Sequence, residues 1–199
     1  ITGRNDWSST LPQNNNSFFY PSANLGFIAS EVLKANWLSF LKLRTSLARG
    51  ANDAPTQSLN NIYIKNDPNI FGIPRFSQST LLRNPNLKPE RTSEIEAGFE
   101  SLFLNNLIGL DFSYYSRLSE DQIIQVPVTT ATGYTFKLDN LGSVSNKGIE
   151  MTLSINNPIK VDGLIWNTNF NFYRNRGRVE KIADGRDLVI LGGGTELWA

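Results

Sequence analysis

Glu94-Ile95-Glu96-Ala97-Gly98-Phe99-Glu100 and, after a short break, Ile108-Gly109-Leu110-Asp111-Phe112-Ser113-Tyr114 decide how the chain reads. Apolar residues fall at every second position in both runs. A period of two places them on one side of an extended strand, whereas a helix would repeat every 3–4 residues. Ile95, Ala97 and Phe99 oppose Glu94, Glu96 and Glu100, so one face meets water and the other meets protein core or lipid.

The same alternation extends outward in both directions. Upstream, Leu41, Leu43, Thr45 and Leu47 oppose Lys42, Arg44, Ser46 and Ala48. Before them Phe19, Ala23, Leu25 and Phe27 share a face, with Pro21 in the run. Downstream, Ile149, Met151, Leu153 and Ile155 oppose Glu150, Thr152, Ser154 and Asn156. Last, Trp166, Phe170 and Phe172 oppose Asn167, Asn169 and Asn171. The chain is therefore all-β, with about six antiparallel strands of about ten residues. Globular strands run to about 5–6 residues, while tilted membrane-spanning strands need about 9–11.

The links between strands point the same way. Those at 28–40, 103–107 and 156–164 are short; those at 50–91 and 118–146, with the tail from 176, are long. Strict alternation of short turns and long loops is the habit of outer-membrane barrels. Phe99, Phe103 and Trp166 fall near the expected inner ends, and Phe19 and Tyr114 near the outer ones, as aromatic girdles would. Six lipid-facing strands leave two open edges, which hydrocarbon does not tolerate, and the smallest single-chain barrels have about eight strands. The expectation is an up-and-down transmembrane barrel segment belonging to a longer protein or closing between chains.

Composition narrows the function. The 199 residues carry 19 basic and 18 acidic side chains, a net charge of +1, with no basic stripe for nucleic acid. Cysteine and histidine are both absent, which removes thiolate chemistry and the commonest general base and metal ligand. The sequence predicts no enzyme, no cofactor and no metal site. No apolar run is long enough for a transmembrane helix, and Ile1 to Asp6 lacks the basic and apolar regions of a signal peptide. The rival reading is a soluble all-β carbohydrate-binding or adhesin-like module, whose apolar faces would cover each other. A hydrolase barrel would need a His-activated nucleophile from elsewhere.

Several short segments also resemble one family. Gly3-Arg4-Asn5-Asp6-Trp7-Ser8-Ser9 with Phe18-Phe19-Tyr20-Pro21-Ser22, then Leu41-Lys42-Leu43-Arg44 leading to Gly50-Ala51-Asn52-Asp53, are similar to the SusC/RagA family of TonB-dependent transporters. So are Asn84-Pro85-Asn86-Leu87-Lys88-Pro89-Glu90, Tyr114-Tyr115, Asn140-Leu141-Gly142 and Asn146-Lys147-Gly148-Ile149-Glu150. The resemblance implies a plugged barrel of the 22-stranded size class, in the outer membrane of a Gram-negative bacterium. It implies import of oligosaccharides or peptides, with a SusD-like surface lipoprotein and the TonB complex as partners. Residues 1–199 would form the middle-to-late barrel, without the plug domain or the TonB box.

Site expectations follow from the polar faces. Lys42, Arg44, Glu94, Glu96, Glu100, Asp111, Arg117 and Glu150 are the candidates for the lumen, as a substrate path or as cross-strand pairs stabilising the wall. Trp198 is the stacking candidate in an outer loop, Trp37 reads as an interface anchor, and Trp7 as part of a folded outer loop. Gly192-Gly193-Gly194-Thr195 lacks the lysine of a phosphate loop. Glu180, Asp184 and Asp187 lack calcium-loop spacing. Register can be predicted as well. Even residue sums of 140 or 142 fit the second and third strands, and 211 fits the third and fourth. The pair 142 and 211 is preferred: it sets Lys42 opposite Glu100, Glu94 opposite Arg117, and Glu100 beside Asp111, with Lys42 as the expected intervening cation.

Overall fold

The computed structural model describes residues 1–156, 158, 163, 165–182, 188–191 and 195–198. In chain order its strands are β1 (Thr2–Trp7), β2 (Ser17–Ile28), β3 (Leu38–Asn52), β4 (Tyr63–Ile70), β5 (Ile73–Gln78), β6 (Leu81–Leu82) and β7 (Glu90–Phe103). They continue with β8 (Ile108–Glu120), β9 (Ile123–Pro127), β10 (Phe136–Asn140), β11 (Ser143–Asn156), β12 (Asn167–Lys181), β13 (Leu188–Leu191) and β14 (Thr195–Trp198). Two 3-10 turns, Ala29–Glu31 and Thr130–Thr132, are the helical elements among the described residues.

Seven strands form one antiparallel sheet in the order β1-β2-β3-β7-β8-β11-β12, so every pair of wall neighbours is consecutive along the path of the sheet. The six expected strands are all present, and β1 adds a seventh. It pairs with β2 from Thr2 opposite Ser22 to Trp7 opposite Ser17. No apolar alternation announces β1, because its Thr-Gly-Arg-Asn-Asp-Trp sequence is polar on nearly every position. The expected registers are found in both pairs: Lys42 lies opposite Glu100, Glu94 opposite Arg117 and Glu100 opposite Asp111.

Register aligns the apolar residues into rungs that cross the sheet. Phe27, Leu43, Phe99, Phe112, Met151 and Phe172 form a single rung over six strands. Leu110, Leu153 and Phe170 occupy the next rung toward the short turns. This face is exposed: Leu47 is 55% and Ile95 49% accessible, values that a covering second sheet would not allow. Phe99 and Phe112 stack at 5.7 Å between ring centres, so rung neighbours pack on one another. Apart from Leu118, the outermost large apolar residue on this face is Leu47 on β3, Ile95 on β7, Tyr114 on β8, Ile149 on β11 and Phe172 on β12. The edge of the apolar band thus steps down two rungs from β3 to β12.

The short links gather at one end. Leu104 to Asn106 all have positive φ, from 53° to 68°, a tight reversal that suits the two asparagines better than the leucine. The Leu104 N–H donates to the Trp37 carbonyl, and the Asn156 N–H to that of Leu107. Trp37 stacks on Phe103 at 5.8 Å, as an anchor at that end should. Phe103 and Trp166 do lie at this end, but Phe99 sits in mid-strand, because β7 runs four residues past it.

The long links gather at the other end and knit together. β6, from the β3–β7 link, pairs in parallel with β10, from the β8–β11 link, and β9 completes a three-stranded layer. A small buried cluster of Leu11, Ala54, Leu87 and Leu138 lies in this layer, with Phe18, Leu59, Leu81 and Ile123 packed around it. Leu87 is fully buried. The Asn84 side chain donates to Asp139, and Asn140 bonds both the N–H and the carbonyl of Lys88. Among the described residues, the buried apolar side chains all lie outside the seven wall strands.

Candidate functional site

The face opposite the apolar rungs carries the charge. Arg44, Gly98, Ser113, Glu150 and Tyr173 share one rung; Lys42, Glu100, Asp111, Thr152 and Asn171 share the next. Glu96 lies opposite Ser46 and Tyr115, and Glu94 opposite Ala48 and Arg117. All eight candidate residues thus occupy four consecutive rungs of one face. Alternation dictates this, since a slip by one residue would turn a whole strand over.

Two arginines organise the ladder. Arg117 Nε donates to Glu94 at 2.6 Å, directly across β7 and β8. Arg44 reaches farther. Its guanidinium donates to both Asp111 oxygens at 2.7 and 3.0 Å and to Ser113 Oγ at 2.7 Å, two strands away. Glu96 stands 3.8 Å from Arg44 Nε and accepts from Ser113 Oγ. The cation beside Asp111 is therefore Arg44 and not the expected Lys42. Gly98 explains the difference: it stands between Arg44 and Ser113 on their rung and offers no side chain to block the reach. Among the described residues, no ion pair joins Lys42 to Glu100.

The bidentate fork suits Arg and would not suit Lys, whose ammonium is a point charge. Arg44 and Asp111 are 31% and 44% accessible, so their attraction is partly screened. Beside them Asn24, Lys42, Arg44, Ser46 and Glu96 border an open hollow of about 310 Å³. Tyr115 lies over Gly148 on the same face, so closely that a Cβ on Gly148 would stand 2.5 Å from the ring. Toward the long links, Arg4 forks onto Asp6 at 2.6 and 2.8 Å, and the Tyr20 hydroxyl donates to the same carboxylate. The guanidinium of Arg4 lies over the Tyr20 ring at 5.5 Å.

Trp7 is not brought to this face. It ends β1 at 72% exposure on the side of Phe19, rather than folding a loop. Trp198 closes β14, but its side chain lies outside the described part of the structure. Residues 184, 187 and 192–194 lie outside the described residues. Glu180 accepts from Ser145 at 2.6 Å. Among the described residues, no group of three acidic side chains is gathered as a metal would need.

An antiparallel arc with one exposed apolar face, one charged face and all long links at one end defines a segment of β-barrel wall. The chain belongs to the family of TonB-dependent receptor-like β-barrels, whose pattern matches residues 1–191. It is 31% identical to TonB-dependent receptor P3 of Formosa agariphila over 96% of this chain and 19% of that protein. It is 30% identical to the TonB-dependent receptor SusC of Bacteroides thetaiotaomicron over 94% of this chain and 20% of that protein. The solved structure of the RagAB peptide transporter superposes with a TM-score of 0.86 at 26% identity, covering 98% of this chain and 22% of that one. The chain spans about a fifth of the length of these relatives.

Proposed function

We propose that this chain is an arc of the wall of a SusC-type outer-membrane importer, with its apolar face in lipid, its charged face lining the lumen and its long links at the outer mouth. The observation that carries the reading is the pair of opposite faces held in register across the sheet. The slope of the apolar edge supports it. Four strand spacings correspond to about 19 Å and two rungs to about 14 Å along the strands, an inclination of about 35°. Strands of membrane barrels tilt by about 35–45°, so an edge parallel to the membrane would cross the rungs at this angle.

The parent polypeptide would supply the plug, the TonB box and the remaining strands in the outer membrane of a Gram-negative bacterium. A SusD-like lipoprotein over the mouth and the TonB complex below are the partners of this reading. An oligosaccharide or peptide is the cargo, and the solved RagAB relative favours the peptide. Lys42, Arg44, Glu94, Glu96, Glu100, Asp111, Arg117 and Glu150 line the path, and their pairing serves the wall first. The role asks for no bond-making residue.

Paired cysteines in the full-length protein test the faces. Phe172→Cys should react with a membrane-partitioning maleimide and be shielded from a charged one, while Asn171→Cys, exposed on the other face, should do the reverse. Equal reactivity of the two positions toward both reagents would exclude the wall assignment.

A further inference from the structure

Beyond the apolar edge, the outward face of β11 and β12 turns cationic. Arg174 follows Phe172, Lys147 follows Ile149, and Arg176 and Arg178 continue along β12, all of them exposed. Lys147 stands directly opposite Arg176, with Arg174 one rung away. Like charges set directly across a ladder repel. On the other face, where Glu100 and Asp111 are apposed, the protein supplies a cation itself, the Arg44 guanidinium on Asp111. Here Arg178 has Glu180 at 3.9 Å, but among the described residues Lys147, Arg174 and Arg176 have no carboxylate within ion-pair distance.

A second feature adjoins these cations. Ala23, Leu47, Ile95, Ser116 and Leu118 line an open, mainly apolar depression of about 550 Å³ on the outward face. Its far border, Ser116, lies directly opposite Lys147. A hollow for hydrocarbon thus ends beside a cluster of positive charge.

We infer that Lys147, Arg174 and Arg176 form a binding site for the phosphate groups of a glycolipid of the outer leaflet, with an acyl chain of the same lipid along the depression. The inference rests on the reading that this face meets lipid. Phosphate oxygens would place negative charge between the apposed Lys147 and Arg176, and charge-assisted bonds from two guanidinium groups suit that geometry. The neighbouring depression selects a phosphate attached to a chain over a free anion.

The test uses the full-length protein, purified in neutral detergent and offered either diphosphorylated lipid A or the same lipid with its phosphates removed. Bound lipid is counted by native mass spectrometry. The wild-type protein should prefer the phosphorylated form. The Lys147→Gln/Arg174→Gln/Arg176→Gln variant should lose that preference by about fivefold per cation removed. Arg174→Lys/Arg176→Lys should retain most of it, which separates charge from misfolding. Ser116→Leu, which fills the depression's border, should weaken both lipids alike.

Equal retention of the two lipids by the wild-type protein would overturn the inference, as would an undiminished preference in the glutamine variant. Complete release of the lipid by inorganic phosphate would reduce the site to a simple anion site and overturn it too. Cysteine labelling at positions 171 and 172 reads the wall assignment independently, so the two claims can fail separately.

Discussion

The oblique apolar edge predicts that neighbours on one rung differ in depth. Leu43, Met151 and Phe172 share a rung, and Met151 faces Phe172 directly. With a tilt of about 35° and a rise of about 3.4 Å per residue, Phe172, two residues below Arg174, lies about 6 Å beneath the outer edge. One strand spacing of about 4.8 Å along the rung changes depth by about 3 Å at this tilt, so Met151 lies about 9 Å beneath the edge, and Leu43, three spacings farther, about 17 Å. The midplane of an apolar band about 25 Å tall is near 12 Å. Arginine, compared with alanine at the same site, should therefore cost about 2–4 kcal/mol at Met151, about 2 at Leu43 and about 1 at Phe172. Guanidinium-dependent folding of the full-length protein into lipid vesicles, followed by the mobility shift of the folded barrel, measures these costs. An equal penalty at Met151 and Phe172 would mean that rungs run parallel to the membrane, and the tilt reasoning would be wrong.

Three further outcomes are expected. Arg44→Ala should destabilise the barrel by about 1–2 kcal/mol, the value of a forked and half-exposed ion pair, and Arg44→Lys by about half of that; a double-mutant cycle with Asp111→Asn should show coupling in the same unfolding assay. Gly98→Ala should cost about 1–3 kcal/mol, as overpacking does, because its Cβ would collide with the Phe112 carbonyl and stand 3.1 Å from Ser113 Oγ; an unchanged unfolding midpoint would contradict this. Leu87→Ala should open a cavity costing about 2–5 kcal/mol, felt in the loop layer: limited proteolysis should cut the 53–89 and 121–142 links faster while the barrel's unfolding midpoint stays in place.

Much of the wall was legible in the sequence because two constraints act on each strand together. Alternation decides which residues share a face, and the charges on β3, β7 and β8 then choose among registers of the right parity. Glu94 with Arg117, and Lys42 opposite Glu100, followed from that alone. The identity of the bridging cation did not, since cross-strand reasoning compares direct partners and Arg44 works on the diagonal. The missing signal was Gly98: once it falls opposite Arg44, the rung has a gap through which a long side chain can reach the third strand. β1 escaped notice for a different reason. It has no apolar face of its own, and its order comes from the edge of β2 and from the fork between Arg4 and Asp6. The pairing of β6 with β10 depends on burial of Leu87 and Leu138 by residues distant in sequence, which no local pattern encodes.

The alternation of links sets an order of assembly. Only the four residues 104–107 separate β7 from β8, whereas 37 residues, 53–89, separate β3 from β7. Closing the longer link costs about 2 kcal/mol more chain entropy than closing the shorter one. The hairpins β2–β3 and β7–β8 therefore zip first, each from its tight turn, and the seam between them closes afterwards. Arg44 leaves the first hairpin, passes over β7 and fastens to the far strand of the second. Contacts made late in folding act mainly on the rate of coming apart. Arg44 is thus a fastener between two preformed pieces, and it governs how long the finished wall endures more than how quickly it is built.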